Sequence, residues 1–201
     1  MVRKTKEEAE ITRRQIIDAA RRVFHECGVS RTTLEKIAAA AGVTRGAVYW
    51  HFKNKTDLFF AMRDEAKLPM VDQVVFHEDD ADPLGGIERA LQILIRILAE
   101  QPEVRETFEI ISFKCEYVDE FAQVLQNASC QLEFLDKLTR AYERAQSHGQ
   151  LRAGFTPSQL AHDSFLFVGG LFKHWLGRMP DARFQEWANQ LIHTHVALRR
   201  A

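Results

Sequence analysis

Residues 33–52 read TLEKIAAAAGVTRGAVYWHF, and this stretch decides the architecture. Leu34, Ile37, Ala38 and Ala41 recur at helical spacing, Gly42 interrupts them, and Val48 and Phe52 resume the pattern on a second short helix that Thr44 can cap. Two short helices about Gly42-Val43 have the layout of a helix-turn-helix. Ala38 and Ala41 allow close approach, Gly42 suits the left-handed conformation of a tight turn, and Val43 and Val48 are apolar where the motif needs internal plugs. Taken by itself, an alanine-rich helix pair broken by glycine also suits an ordinary α-helical hairpin.

The distribution of charge favours the nucleic-acid reading. The net charge is only −1, but residues 1–60 hold 12 Lys/Arg against 7 Asp/Glu, whereas residues 61–201 hold 15 against 21. The polyanion-seeking surplus is confined to the third of the chain that carries the motif. Helices of this kind insert their N-terminal residues into the major groove, which makes Arg45 the candidate base reader. An arginine can donate two hydrogen bonds to guanine O6 and N7, a pairing worth about 1–3 kcal/mol of base discrimination. Lys53, Lys55 and Arg3 are placed as phosphate anchors, and Gly46 and Ala47 permit close approach. On chemistry alone His51 and Trp50 read as packing residues.

Outward from the motif, helical periodicity continues and no alternating strand pattern occurs, so the fold class is all-α, with about nine helices. Thr5 with Glu8 forms a capping box ahead of a first helix whose inward stripe is Ile16, Ala20, Val23, Phe24 and Cys27, closed by Gly28. Thr32 with Glu35 repeats the box before Leu34–Ala41. A fourth helix begins at Asn54 or Lys55, and the acidic linker HEDDAD, residues 77–82, ends this region. Pro83, Pro102 and Pro157 each suit a first helical turn, with Leu84–Ala99 strongly apolar. A long pattern runs from about Val118 to Ser147 through Phe121, Leu125, Leu132, Leu135, Leu138 and Tyr142. The last helices span about Pro157–Gly177 and Ala182–Arg199, joined by Arg178-Met179-Pro180-Asp181. The expected domains are 1–55 for DNA binding, with helix four linking to about residue 76, and 77–201 for ligand binding and dimerisation.

The motif T-T-x-x-x-I-A-x-x-A-G-V-T-x-G-x-x-Y-x-H-F-x-x-K, present from Thr32 to Lys55, resembles the signature of the TetR family of regulators. VRKTKEEA at the N-terminus, EIISFKCEY at 109–117 and GLFKHWL at 170–176 look further like its multidrug-efflux branch, the AcrR-like repressors. The resemblance implies DNA contacts by Thr33, Thr44, Arg45, Gly46, Tyr49, His51 and Lys55. It also implies a small apolar pocket ligand near Phe108, Ile111, Ser112, Phe134, Leu138, Phe165, Val168 and Phe172. The function it implies is a ligand-responsive repressor of an efflux operon, with a TetR-like regulator of fatty-acid or acyl metabolism, or an apolar-compound sequestering protein, as rivals.

The C-terminal part suits that reading independently. The chain has 14 phenylalanines, and those on the C-terminal helices, Phe113 and Phe167 among them, can line an apolar cavity or fill a core. Apolar stripes at Leu160, Phe167 and Leu171, and at Trp187, Leu191, Thr194 and Leu198, exceed what one small core needs, so a homodimer through the last two helices is expected. Gly169-Gly170 fits either close helix approach or room for ligand. Dimerisation would set two recognition helices roughly 34 Å apart on a palindromic operator in double-stranded DNA. No H-E-x-x-H, G-x-S-x-G or G-x-x-x-x-G-K motif suggests an enzyme, and His193-x-His195 falls on different sides of a helix. Cys27, Cys115 and Cys130 have neither disulfide nor zinc spacing, and an inert Cys115 is the commoner state for such a thiol. No cofactor or metal is expected. Without a secretory signal or an apolar run of about 18 residues, a cytoplasmic location is expected.

Overall fold

The computed structural model describes residues 6–77, 80–116, 121, 129–177 and 183–201. Among the described residues the regular structure is helical throughout, apart from one isolated antiparallel bridge between Leu151 and Arg200. The all-α expectation is met, with nine α-helices among the described residues. They divide into two units. One holds the residues up to 67 together with 106–121, and the other holds 68–105 and the residues from 129 onward.

In the first unit α1 (Lys6–Cys27) lays Ile16, Ile17, Ala20, Val23 and Phe24 against α2 (Leu34–Ala41) and α3 (Arg45–His51). Leu58, Phe59 and Met62 from α4 (Lys55–Asp72) complete this core, where the Phe24 and Phe59 rings meet edge-on at 5.9 Å. Burying side chains of this size stabilises by about 1.5–3 kcal/mol each. Two glycines set the turns: Gly28 at φ 79° ends α1, and Gly42 at φ 68° ends α2, a conformation other residues adopt at a cost. The cap of α2 lies one residue later than expected. Thr33, not Thr32, accepts the backbone N–H of Lys36, while the Thr32 hydroxyl donates to Gly28 O at 2.7 Å. Asn54 Oδ1 accepts from Asp57 N at 2.8 Å at the start of α4.

The second half of α6 (Pro102–Glu109) and the π-helical turn Ile110–Lys114 that follows belong to the same unit. They are tied to α1 along one face. Buried Arg21 donates from Nε to Thr107 Oγ1 at 3.3 Å and pairs with Asp18 at 2.9 Å and Glu65 at 3.7 Å. Burial pushes the Glu65 carboxyl up, and Arg21 opposes that shift. One helical turn on, His25 meets Glu109 at 2.5 Å, and at the next turn Val29 N–H donates to Lys114 O at 2.9 Å. Phe121 packs edge-on against Phe59 at 5.4 Å, and the run expected to join it to the helix ending at Ser147 lies outside the described residues up to residue 128.

The second unit is a helical bundle in which α5 (Pro83–Glu100) packs on α9 (Phe184–Ala197) and α7 (Ser129–Ser147) packs on α8 (Pro157–Leu176). Pro83 opens α5 and Pro157 opens α8, as the sequence led us to expect, and Thr156 and Gln159 form a reciprocal capping box ahead of Pro157, a pair not singled out in the sequence. Leu84, Ile87, Leu91, Ile95 and Leu98 face inward. A polar chain crosses the apolar interior: Tyr142 and Ser164 hydroxyls meet at 2.7 Å, and Ser164 Oγ lies 2.9 Å from His195 Nε2. The end of the chain is fastened by Arg152 N–H to Arg199 O and Ala201 N–H to Gln150 O, both 2.9 Å. Leu160 and Leu171, expected on an outward stripe, are buried within this unit. On the second expected stripe Trp187, Thr194 and Leu198 are exposed, and on α8 Leu166, Gly169 and Gly170 are exposed as well. Thr5, Arg3, Val118, Leu125, Ala182 and the 178–181 turn lie outside the described residues, as does the side chain of Cys130.

Candidate nucleic-acid interface

α3 is only seven residues long, and its shortness makes its outer face available. Thr44 caps it by accepting from Ala47 N at 3.2 Å, and Val48 alone is wholly buried beneath it. Everything on the opposite side is therefore exposed: Arg45, Gly46, Tyr49 at 46% and Trp50 at 72%. The expectation that Trp50 packs in the core is thus wrong. The helical repeat accounts for this, since at about 100° per residue Trp50 points some 200° away from Val48. Its ring meets that of the half-buried His51 edge-on at 4.5 Å.

Arg45 is preset by its neighbours. Its Nε lies 3.0 Å from Glu35 Oε1 on α2, its Nη2 donates to Tyr49 Oη at 3.3 Å, and its guanidinium carbon sits 5.2 Å from the centre of the Tyr49 ring. The backbone N–H and the Thr33 hydroxyl near the start of α2, with Arg45 behind them, hold the Glu35 carboxyl below the usual carboxylate range. An anionic partner must therefore compete with Glu35 for this guanidinium. Thr33 and Thr44 are exposed caps at the starts of α2 and α3, so their hydroxyls and the free N–H groups of those first turns face solvent. A Cβ on Gly46 would meet nothing nearer than Thr44 Oγ1 at 3.9 Å, so the chain's own packing does not demand glycine there.

Lys55 is placed differently from what a phosphate anchor would show. Its ammonium donates to Val29 O at 2.9 Å, Thr32 O at 3.1 Å and Ser30 O at 3.3 Å, and lies 5.8 Å from the Phe121 ring. All three protons of the group are spoken for within the chain. It cross-links the start of α4 to the loop that carries Thr32 and Thr33. Lys53, by contrast, is exposed.

The residues expected around an apolar ligand fall into both units. In the second, Phe134 and Leu138 of α7 and Val168 and Phe172 of α8 are buried, and the half-buried Phe165 has its ring 6.3 Å from that of Phe134. In the first, Phe108 and Ile111 are half-buried, and Ser112 is open to solvent, as is Phe113. Burial pushes the half-buried Cys115 thiol up to about 11, which removes the thiolate an oxidant sensor needs. Among the described residues no group of His, Cys, Asp or Glu could hold a metal, and no helix is long and apolar enough to cross a membrane.

Comparison with known proteins bears on both units. Residues 16–62 match the model of the bacterial regulatory proteins of the tetR family, and residues 82–199 match the C-terminal region of MAATS-type transcriptional repressors. The chain is 40% identical over 185 residues to the helix-turn-helix transcriptional regulator TtgR of Pseudomonas putida, covering 90% of this chain and 88% of that protein. Its fold is similar to that of NalD, the secondary repressor of the MexAB-OprM multidrug efflux pump in Pseudomonas aeruginosa. That match has a TM-score of 0.79 and 31% identity over 94% of this chain and 98% of that one. It is similar also to SmeT in complex with triclosan, with a TM-score of 0.82 and 31% identity over 95% of this chain and 92% of that one.

Proposed function

The chain belongs to the TetR family of bacterial regulatory proteins, and from that membership we propose that it is a transcriptional repressor of a multidrug efflux operon, released from a palindromic operator by a small hydrophobic compound. The observation that carries the reading is the outer face of α3, where Arg45, Tyr49 and Trp50 stand exposed on a helix preset by Thr44 and Glu35. Arg45 reads a base edge, Tyr49 and Trp50 contact sugars or thymine methyl groups, and Gly46 keeps the backbone close to the duplex. Thr33, Thr44 and His51 position the head on phosphates. Full-length similarity to efflux-pump repressors supplies the class of target.

The inducer occupies the region of Phe134, Leu138, Phe165, Val168 and Phe172. Its binding favours a state in which α4, whose residues fall in both units, no longer holds the reading heads at the operator spacing. A coupling of about 1–3 kcal/mol is typical of such linkage. The protein acts as a homodimer through α8 and α9, whose exposed Leu166, Trp187 and Leu198 a second copy would cover.

The test is fluorescence anisotropy on the upstream intergenic DNA with scrambled DNA as competitor, followed by triclosan and other hydrophobic compounds. Selective binding relieved by such a compound is the expected result. Selective binding relieved only by fatty acids or acyl compounds would move the assignment to metabolic control, and absence of selective binding at any efflux promoter would overturn it. Within this assay Arg45→Ala is expected to weaken specific binding roughly 5- to 30-fold, somewhat less than a full bidentate contact because Glu35 competes for the free arginine. Unchanged affinity and base preference would remove Arg45 from the reading surface.

A further inference from the structure

In the second unit, residues 73–77, Asp80, the first turns of α5 and the outer side of α7 surround a cavity of about 260 Å³. A second hollow of about 230 Å³ adjoins it, walled by Val75, Phe76 and the basic residues of α7. The two share Arg144, and its environment is unusual. Arg144 Nε is sealed from solvent and has no hydrogen-bond partner, and among the described residues its guanidinium enters no ion pair. The neighbouring cations are all matched. Arg89 pairs with Asp80 at 2.5 Å, Arg140 with Asp136 at 2.9 Å, and Lys137 with Glu133 at 3.1 Å while also donating to Val71 O at 3.2 Å. An arginine cannot shed its proton to escape burial, and a half-buried unpaired charge is unfavourable until an anion meets it.

We propose that Arg144 anchors a binding site for a compact organic anion, a carboxylate carrying an apolar tail. The carboxylate takes the guanidinium in the paired geometry that arginine and carboxylate favour, and the tail lies along Phe76, Pro83, Ala90 and Ile93. Among the described residues lining the cavity Asp80 is the acidic one, and it is paired with Arg89. The volume sits just below the range of ordinary small-molecule pockets, which suits a medium-chain or single-ring acid. None of the residues assigned to the hydrophobic inducer lines this cavity, so the site does not depend on the repressor reading.

The experiment is calorimetric titration of the full chain, without DNA, with octanoate, 1-octanol and octylamine, on the natural protein and on Arg144→Gln and Arg144→Lys. Octanoate is expected to bind the natural protein and to bind Arg144→Gln at least about 10-fold more weakly, with Arg144→Lys intermediate and octylamine silent. Circular dichroism should show both variants folded, since among the described residues Arg144 makes no side-chain bond. Equal binding of octanoate to Arg144→Gln, equal binding of octanol and octanoate to the natural protein, or no octanoate binding at all would each overturn the assignment. The absence of DNA from the assay keeps that failure separate from any failure of the repressor reading.

Discussion

Lys55→Met is expected to lower the thermal midpoint by about 5–10 °C and to weaken operator binding without changing how that binding depends on salt. The substitution keeps the unbranched apolar stem and removes the ammonium that now bonds Val29 O, Ser30 O and Thr32 O. Hydrogen bonds to a charged donor contribute about 1.5–3 kcal/mol each in isolation. Here they share one partly exposed group and are not additive, so a total of about 2–3 kcal/mol is the reasonable scale, equivalent to several degrees in a chain of this size. The loop that loses its cross-link carries the caps of α2, so the exposed hydroxyl of Thr33 would lose its fixed position as well. A phosphate anchor behaves otherwise. Its removal leaves the midpoint untouched and reduces the slope of log affinity against log salt by about 0.9. Measuring both quantities on one variant therefore decides between the positioning role that the geometry favours and the phosphate contact that the family resemblance implies.

Lys55 also illustrates what the sequence can carry and what it cannot. The spacing of Leu34, Ile37 and Ala38 against Val48, with Gly42 between them, was legible because a helix repeat and one left-handed residue leave a local signature. Pro83 and Pro157 were legible because each fits a first helical turn. The choice between Thr32 and Thr33 as cap was not, since adjacent threonines carry the same hydroxyl and only the backbone angles of one residue separate them. Trp50 was misplaced by hydrophobicity, although its angle from Val48 contained the answer. The partners of Lys55 lie 23 to 26 residues away as main-chain carbonyls, which no side-chain pattern encodes. The π-turn at Ile110–Lys114 likewise follows from how that segment packs, not from its composition.

Ser164→Ala is the corresponding test for the second unit, with an expected loss of about 2–4 kcal/mol in denaturant unfolding at neutral pH. Ser164 stands between Tyr142 Oη at 2.7 Å and His195 Nε2 at 2.9 Å, and both neighbours are buried. Removing one hydroxyl leaves two polar groups without this partner, each at a cost of about 1–3 kcal/mol, whereas Tyr142→Phe strands only one. The double variant should therefore lose less than the sum of the single losses, as members of one network do. The same network makes stability depend on acid. Burial, reinforced by the charge of Arg199 and only partly offset by Asp163, pushes His195 down to about 4 from its ordinary 6.5. The folded chain thus excludes a proton that the unfolded chain accepts, so the contribution is complete above about pH 6.5 and is lost progressively as the pH falls toward 4. Phe167, stacked on the imidazole at 3.9 Å, adds apolar surface to that burial. Unfolding midpoints measured from pH 7.5 to 4.5 should fall more steeply for the natural protein than for His195→Asn, which cannot titrate. Parallel profiles would mean that His195 takes up its proton without leaving the fold, and additive losses for Tyr142→Phe and Ser164→Ala would mean that the hydroxyls do not act as one chain.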